Sequence, residues 1–137
     1  MQGMDHSMMM PAGMPGEKGK VSRTIKVTMS ETDDGKMIFT PNKLDVKQGE
    51  TVRIKITNKG ELDHEFVLDT AENNAAHKGQ MASGDAEGAH QMPNSVTLEP
   101  GKQGDIFWTF TNSGDFEFAC LIPGHYESGM FGTASVS

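Results

Sequence analysis

The run Gly114-Asp115-Phe116-Glu117-Phe118-Ala119-Cys120-Leu121-Ile122-Pro123-Gly124-His125-Tyr126-Glu127-Ser128-Gly129-Met130 contains the only cysteine of this 137-residue chain. Its first part alternates, so Phe116, Phe118 and Cys120 share one face of a strand and the thiol is delivered at the end of a core strand. Its second part places an imidazole and a thioether four and nine residues after Leu121, with Pro123-Gly124 supplying the bend between thiolate and imidazole. A thiolate, an imidazole and a thioether on one short loop are three of the four donors of a type 1 copper site, which adds a second imidazole. That imidazole has to come from elsewhere. His64 is the first candidate, because it shares parity with Phe66 and Leu68 on an apolar segment that reads as a strand; His77 and His90 are the competitors.

Working outward, the same period-2 pattern recurs. Ile25, Val27 and Met29 mark a first strand, followed by Met37 to Phe39 and Leu44 to Val46 around a Pro41-Asn42 turn. Thr51 to Thr57 is the cleanest half-buried strand, with Val52, Ile54 and Ile56 inward and Arg53 and Lys55 toward water. Val96 and Leu98, the Pro100-Gly101 turn, the segment Ile106 to Phe110 and a last strand over Thr133 to Val136 complete the set. Trp108 reads as core packing, and Asp33-Asp34-Gly35 as a turn that lacks the further acidic ligands of a calcium loop. No segment sustains helical periodicity. The expectation is an all-β domain over residues 21–137, a sandwich of seven to eight strands in two sheets. A polar insertion at 71–94 interrupts it, with a short helix over Ala71 to Met81.

Residues 1–20 carry six of the eleven methionines, namely Met1, Met4, Met8, Met9, Met10 and Met14, together with His6. Interspersed glycine and proline predict a tail without regular structure. Thioethers are soft donors matched to Cu(I), and the tail reads as a copper-recruiting segment. In the insertion, His77 and Met81 would share a helix face, and His90 and Met92 form a compact second pair; these four are candidates for an accessory copper site.

Composition excludes several classes. The formal charge is -7, and from Gly60 onward there are twelve acidic residues against two lysines, which disfavours a nucleic-acid partner. One cysteine allows no internal disulfide and leaves no resolving partner for thiol redox chemistry. No apolar run reaches the length of a membrane span.

The strand and loop from Gly114 to Met130, with Asn58-x-Gly60-x3-His64-x-Phe66 upstream, resemble the small blue copper proteins, or cupredoxins. The likeness runs in order through residues 21–137, and the four residues between His125 and Met130 are similar to auracyanin-like members. The resemblance implies a Greek-key β-sandwich with one copper held by His64, Cys120, His125 and Met130, the loop histidine exposing an edge for electron exchange. Glu65 departs from the pattern: many relatives carry asparagine there, whose side chain stiffens the link to the thiolate loop. The Met- and His-rich leader is similar to that of exported copper-tolerance cupredoxins of Gram-negative bacteria. That implies a periplasmic monomer, processed on export, that binds copper and meets a periplasmic redox or copper-handling protein. A diffusible electron carrier is the alternative. An enzyme is not expected: oxidases and nitrite reductases of this kind need further domains and histidine clusters, and a dinuclear electron-entry centre needs two cysteines.

Overall fold

A computed structural model describes residues 10–82 and 92–137, with the side chains of Met81 and Ala82 left out. Two five-stranded sheets face each other. The strands are β1 (Met14–Pro15), β2 (Arg23–Glu31), β3 (Met37–Thr40), β4 (Lys43–Val46), β5 (Thr51–Asn58), β6 (His64–Asp69), β7 (Ser95–Leu98), β8 (Gln103–Thr109), β9 (Gly114–Ala119) and β10 (Phe131–Val136). One sheet runs β1-β8-β5-β2-β3 and the other β4-β10-β9-β6-β7. The pairs β2/β5 and β4/β10 are parallel and the rest antiparallel. Five of the nine connections between consecutive strands cross from one sheet to the other, as in the expected Greek-key sandwich. The count exceeds seven to eight because β1 and the four-residue β3, β4 and β7 each pair separately.

Alternation places the core as the sequence indicates. Val27, Met29, Val52, Ile54, Ile56, Ile106, Trp108 and Phe110 are buried from one sheet, and Phe66, Leu68, Phe116, Phe118 and Ala134 from the other. Phe39, Phe66 and Phe118 meet at ring separations of 5.2–5.7 Å, offset and edge contacts that add to area burial. Gly132 is required where β10 crosses this cluster, since a Cβ there would lie 2.4 Å from Phe118 Cζ.

One expectation is corrected. The segment from Met10 to Lys20 is not an unstructured part of the leader. Met14 pairs with Thr109 and Pro15 with Trp108, Met10 and Gly13 exchange backbone hydrogen bonds at 2.7 and 2.9 Å, and Ala12 is buried. The cause is the indole of Trp108, which is fully buried and donates to the Ala12 carbonyl at 3.0 Å; a buried N–H needs a partner and no strand supplies one. Met1, Met4, His6, Met8 and Met9 lie outside the described residues.

The insertion carries the short helix expected over Ala71 to Met81. Helix α1 spans Ala71–Ala82, capped by Thr70, whose Oγ1 accepts the Asn73 N–H at 3.0 Å. Its buried Asn74 donates to the Glu117 carboxylate at 3.0 Å, fixing α1 over the outer face of β9. His90 lies outside the described residues.

Candidate metal centre

The site is assembled at one end of the sandwich by β6, the end of β9 and the loop that follows it. Buried Asn58 sets the approach to β6: its Nδ2 donates to the Leu62 and Leu98 carbonyls at 2.8 and 2.9 Å, and its Oδ1 accepts the Gly60 N–H at 2.9 Å. The Asn58-x-Gly60 signature is therefore a turn lock ahead of His64. His64 then enters the sheet opposite Leu98, fully buried.

The second part of the site is a loop folded back on itself. Cys120 N–H donates to the Met130 carbonyl at 3.0 Å, His125 N–H to the Ile122 carbonyl at 2.9 Å, and Met130 N–H to the His125 carbonyl at 3.3 Å. Gly124 and Gly129 sit at φ 89° and 103°, left-handed values that L side chains rarely adopt. The Pro123-Gly124 bend is where the sequence places it.

One ligand atom each from His64, Cys120 and His125 lies within 4.8 Å of the others, and this is the sole such group of His, Cys, Asp and Glu among the described residues. Cys120 Sγ and His125 Nδ1 are 3.4 Å apart, and the imidazoles of His64 and His125 stand 5.1 Å apart at 62°. Of the competing histidines, His77 lies on α1 outside this group. Met130 is fully buried, its backbone bonded to both Cys120 and His125.

The electrostatics suit a metal. His64 Nδ1 is buried and has no hydrogen-bond partner, a costly state for a ring nitrogen unless something binds it. Its opposite nitrogen, Nε2, meets Glu31 Oε2 at 2.5 Å, so the nitrogen facing the cluster is left as the donor. Burial pushes the Cys120 thiol up to about 11, against hydrogen bonds from the Glu65 and Ile122 N–H groups, with the Glu65 charge pushing the same way as burial. The thiolate therefore forms at neutral pH together with metal binding. Burial, then repulsion from His64, holds His125 below its ordinary value against the pull of Glu31, leaving a neutral imidazole free to ligate.

Two acidic residues support this set. Burial pushes the Glu31 carboxyl up, but hydrogen bonds from the Glu61 N–H, the His64 ring and the Leu62 N–H outweigh it and bring the net value below the ordinary range. The sequence reading missed Glu31. Glu65 is buried: its N–H donates to Cys120 Sγ at 3.3 Å and its Oε1 accepts the Leu121 N–H at 3.3 Å. The glutamate thus makes the tie between the first histidine strand and the thiolate loop that the resemblance assigns to asparagine, with a negative charge added.

The loop is braced from outside. Lys78 Nζ on α1 lies 2.6 Å from Glu127 Oε2 and 4.6 Å from the centre of the Tyr126 ring, and Tyr126 OH donates to Glu117 Oε2 at 2.8 Å. Phe131 is 45% exposed and stacks on Tyr126 with centroids 4.7 Å apart, while Leu121 on the same loop is fully buried.

Two imidazoles and a thiolate at one end of a β-sandwich are a donor set for copper. Residues 25–137 match the family model described as copper binding proteins, plastocyanin/azurin family. The copper-resistant cuproprotein CopI of Rubrivivax gelatinosus is 45% identical over 132 residues, 96% of this chain and 76% of that protein. The protein of the same description from Pseudomonas aeruginosa is 36% identical, over 90% of this chain and 81% of its own length. Among solved structures, auracyanin B superposes with a TM-score of 0.71 at 23% identity, covering 92% of this chain and 96% of that one. An auracyanin from Roseiflexus castenholzii gives 0.70 at 22%, covering 85% and 98%. The sandwich, the copper donor set and these likenesses converge: the chain belongs to the plastocyanin/azurin family of copper-binding proteins.

Proposed function

We propose that the chain is a periplasmic type 1 copper protein that contributes to copper tolerance, in which His64, Cys120 and His125 would hold the copper and the Met130 thioether would be a weaker fourth donor. The observation that carries this reading is the convergence of the three donor atoms within 4.8 Å around a buried imidazole nitrogen that no hydrogen bond satisfies. Two relatives described as copper-resistant cuproproteins support the biological role. Copper bound there supplies a one-electron couple. The chain's own part is to bury the thiolate, hold one imidazole on β6 and the other on the braced loop after β9, and so buffer Cu(I) or pass its electron to an oxidised partner protein. In this reading the protein acts as a copper binder and not as an enzyme.

The second reading is a diffusible electron carrier, favoured by the position of His125, which is partly exposed on the loop while His64 is buried. The test is survival in copper of a strain lacking the native gene, complemented with the wild-type chain or with Cys120→Ser. The tolerance reading expects the wild type alone to restore growth and to show an intense thiolate-to-copper band when loaded with Cu(II). Equal rescue by Cys120→Ser would remove the centre from the tolerance mechanism. Unchanged survival without the protein, coupled with lost electron flow to a redox partner, would favour the carrier.

A further inference from the structure

A second concentration of soft donors lies away from the type 1 cluster. A cavity of about 260 Å³ opens between α1 and the β6/β7 edge, and Met10, His77 and Met92 all line it, with Asp69, Asn94 and Ser95 between them. These donors come from three separate parts of the chain. Met10 is held by its paired backbone hydrogen bonds with Gly13, and the adjoining Pro11 carbonyl accepts from Asn112 Nδ2 at 3.0 Å. His77 projects from α1, which Asn74 anchors to β9. The Met92 carbonyl accepts the Ser95 N–H at 3.1 Å and the Ser95 hydroxyl at 3.2 Å, closing a turn that fixes the third donor.

The lining is not apolar. Asn94 is 4% exposed; its Nδ2 donates to the Leu68 carbonyl at 2.8 Å, and its Oδ1 accepts no hydrogen bond. The Asn94 side chain thus gives the wall a fixed polar residue. Asp69, whose carboxylate caps the start of α1 through the Thr70 N–H and Asn73 Nδ2, adds negative charge to the wall. Two thioethers and an imidazole, with no thiolate, form a soft, low-charge donor set that selects Cu(I) over harder divalent ions.

We infer that Met10, His77 and Met92 form a second site, specific for Cu(I), in the cavity between α1 and the β6/β7 edge. It shares no side chain with the type 1 cluster. It lies toward the far end of β6: His64, Phe66 and Leu68 face the core, while Val67 and Asp69 face the cavity on the outer side of that sheet. The docking of the leader, held by the Trp108 hydrogen bond to the Ala12 carbonyl, delivers the Met10 thioether to donors that α1 and the Met92 turn already hold. Cu(I) captured here stays separate from the type 1 centre, and its binding needs no redox step.

The experiment is an anaerobic Cu(I) titration of the full chain against a chromophoric Cu(I) chelator, with the methionine methyl groups followed by NMR. Three proteins are compared: the wild type, the double variant His77→Ala/Met92→Leu, and a leader variant with Met4, Met8 and Met9→Leu. The expected result is that the double variant binds one equivalent of Cu(I) fewer than the wild type. The methyl signals of Met10 and Met92 should move together over one equivalent, separately from Met130. An unchanged stoichiometry in the double variant overturns the proposal, as does loss of Cu(I) confined to the leader variant with Met10 and Met92 unmoved. Cu(II) loading of the double variant serves as the control for folding: its thiolate-to-copper band reports the type 1 centre, so failure of that centre and failure of the cavity site register in different signals.

Discussion

Glu31 Oε2 and His64 Nε2 are 2.5 Å apart, so a carboxylate at the end of β2 orients the imidazole whose other nitrogen faces Cys120 and His125. The second oxygen of Glu31 accepts the Glu61 N–H at 2.8 Å, which ties the same carboxylate to the loop entering β6. A carboxylate behind a ligating histidine fixes the ring and raises its basicity. Cu(II) gains more from this than Cu(I), because the higher charge is stabilised more by the anion. Glu31→Gln is expected to lower Cu(II) affinity by about 10- to 100-fold. The reduction potential should rise by about 59 mV for each tenfold loss that Cu(I) does not share. Competition titration and potentiometry on the same protein check both; an unchanged potential would show that the carboxylate leaves the couple untouched.

Gly60→Ala tests the same contact without touching either partner. A Cβ at Gly60 would lie 2.0 Å from Glu31 Oε2, and the carboxylate, at the tip of a flexible side chain, has to move. The expected outcome is a loss of Cu(II) affinity in the same direction as Glu31→Gln with little change in urea midpoint. A large fall in stability with unchanged copper affinity would place the role of the glycine in the fold alone.

The sequence displayed the centre because its ligands obey local rules. Cys120 falls on the inward parity of an alternating strand, His64 on that of another, and the Pro123-Gly124 bend closes the loop. Asn58 and Gly60 were part of the same legible signature, and their bonds to Leu62 and Leu98 give it a physical meaning. Glu31 was illegible because the parallel pairing of β2 with β5, which carries the end of β2 toward β6, is a long-range register that no local pattern encodes. The docking of residues 10–15 was hidden for a different reason: β1 is two residues long, too short for a period. The signal available was the lone tryptophan, whose buried N–H requires an acceptor. The brace of Lys78 on Glu127 and Tyr126 likewise depends on where α1 lands, which the weakly patterned insertion does not specify.

Glu65 separates charge from connectivity. Glu65→Gln keeps an acceptor for the Leu121 N–H while removing the negative charge beside Cys120, so the expected result is a higher reduction potential with a retained thiolate-to-copper band. Glu65→Ala also strands the buried N–H of Leu121 and is expected to cost about 1–3 kcal/mol, measured by urea unfolding of the metal-free protein. Equal stability of the two variants would mean that the tie to the thiolate loop contributes nothing to the fold.

Glu50 gives the sandwich an acid-sensitive contact far from copper. Its Oε2 lies 2.7 Å from Arg23 Nε and 3.0 Å from Ser22 Oγ, and its Oε1 accepts the Lys47 N–H at 3.1 Å. The Arg23 hydrogen bond, against the opposing effect of burial, holds the carboxyl below its ordinary value. A group whose folded value is depressed contributes stability that is present above its unfolded value and is lost as pH falls through the folded value. Glu50→Gln is therefore expected to be less stable than the wild type by about 1 kcal/mol at pH 7, a modest figure because Arg23 is half exposed. The gap should close as the pH drops below about 4. Thermal unfolding of the metal-free proteins from pH 3 to 7 measures it, and a gap constant with pH would assign the effect to packing.

Gly13 decides whether the leader segment is part of the fold. It sits at φ 137°, and a Cβ there would meet the Thr109 carbonyl oxygen at 2.1 Å and Trp108 Nε1 at 2.7 Å. The obstacle is backbone on one side and a buried ring on the other, so neither can yield cheaply. Gly13→Ala is expected to lift residues 10–15 off β8 and leave the Trp108 N–H without the Ala12 carbonyl, at a cost of about 1–3 kcal/mol. Water then reaches the only tryptophan, and its emission should shift to the red while the alternation that builds the two sheets remains intact. Limited proteolysis should cut the variant within residues 10–20 at protease levels that spare the wild type. Unshifted emission and unchanged cleavage would mean that the indole is shielded by the strands alone and that the segment from Met10 to Pro15 contributes no stability.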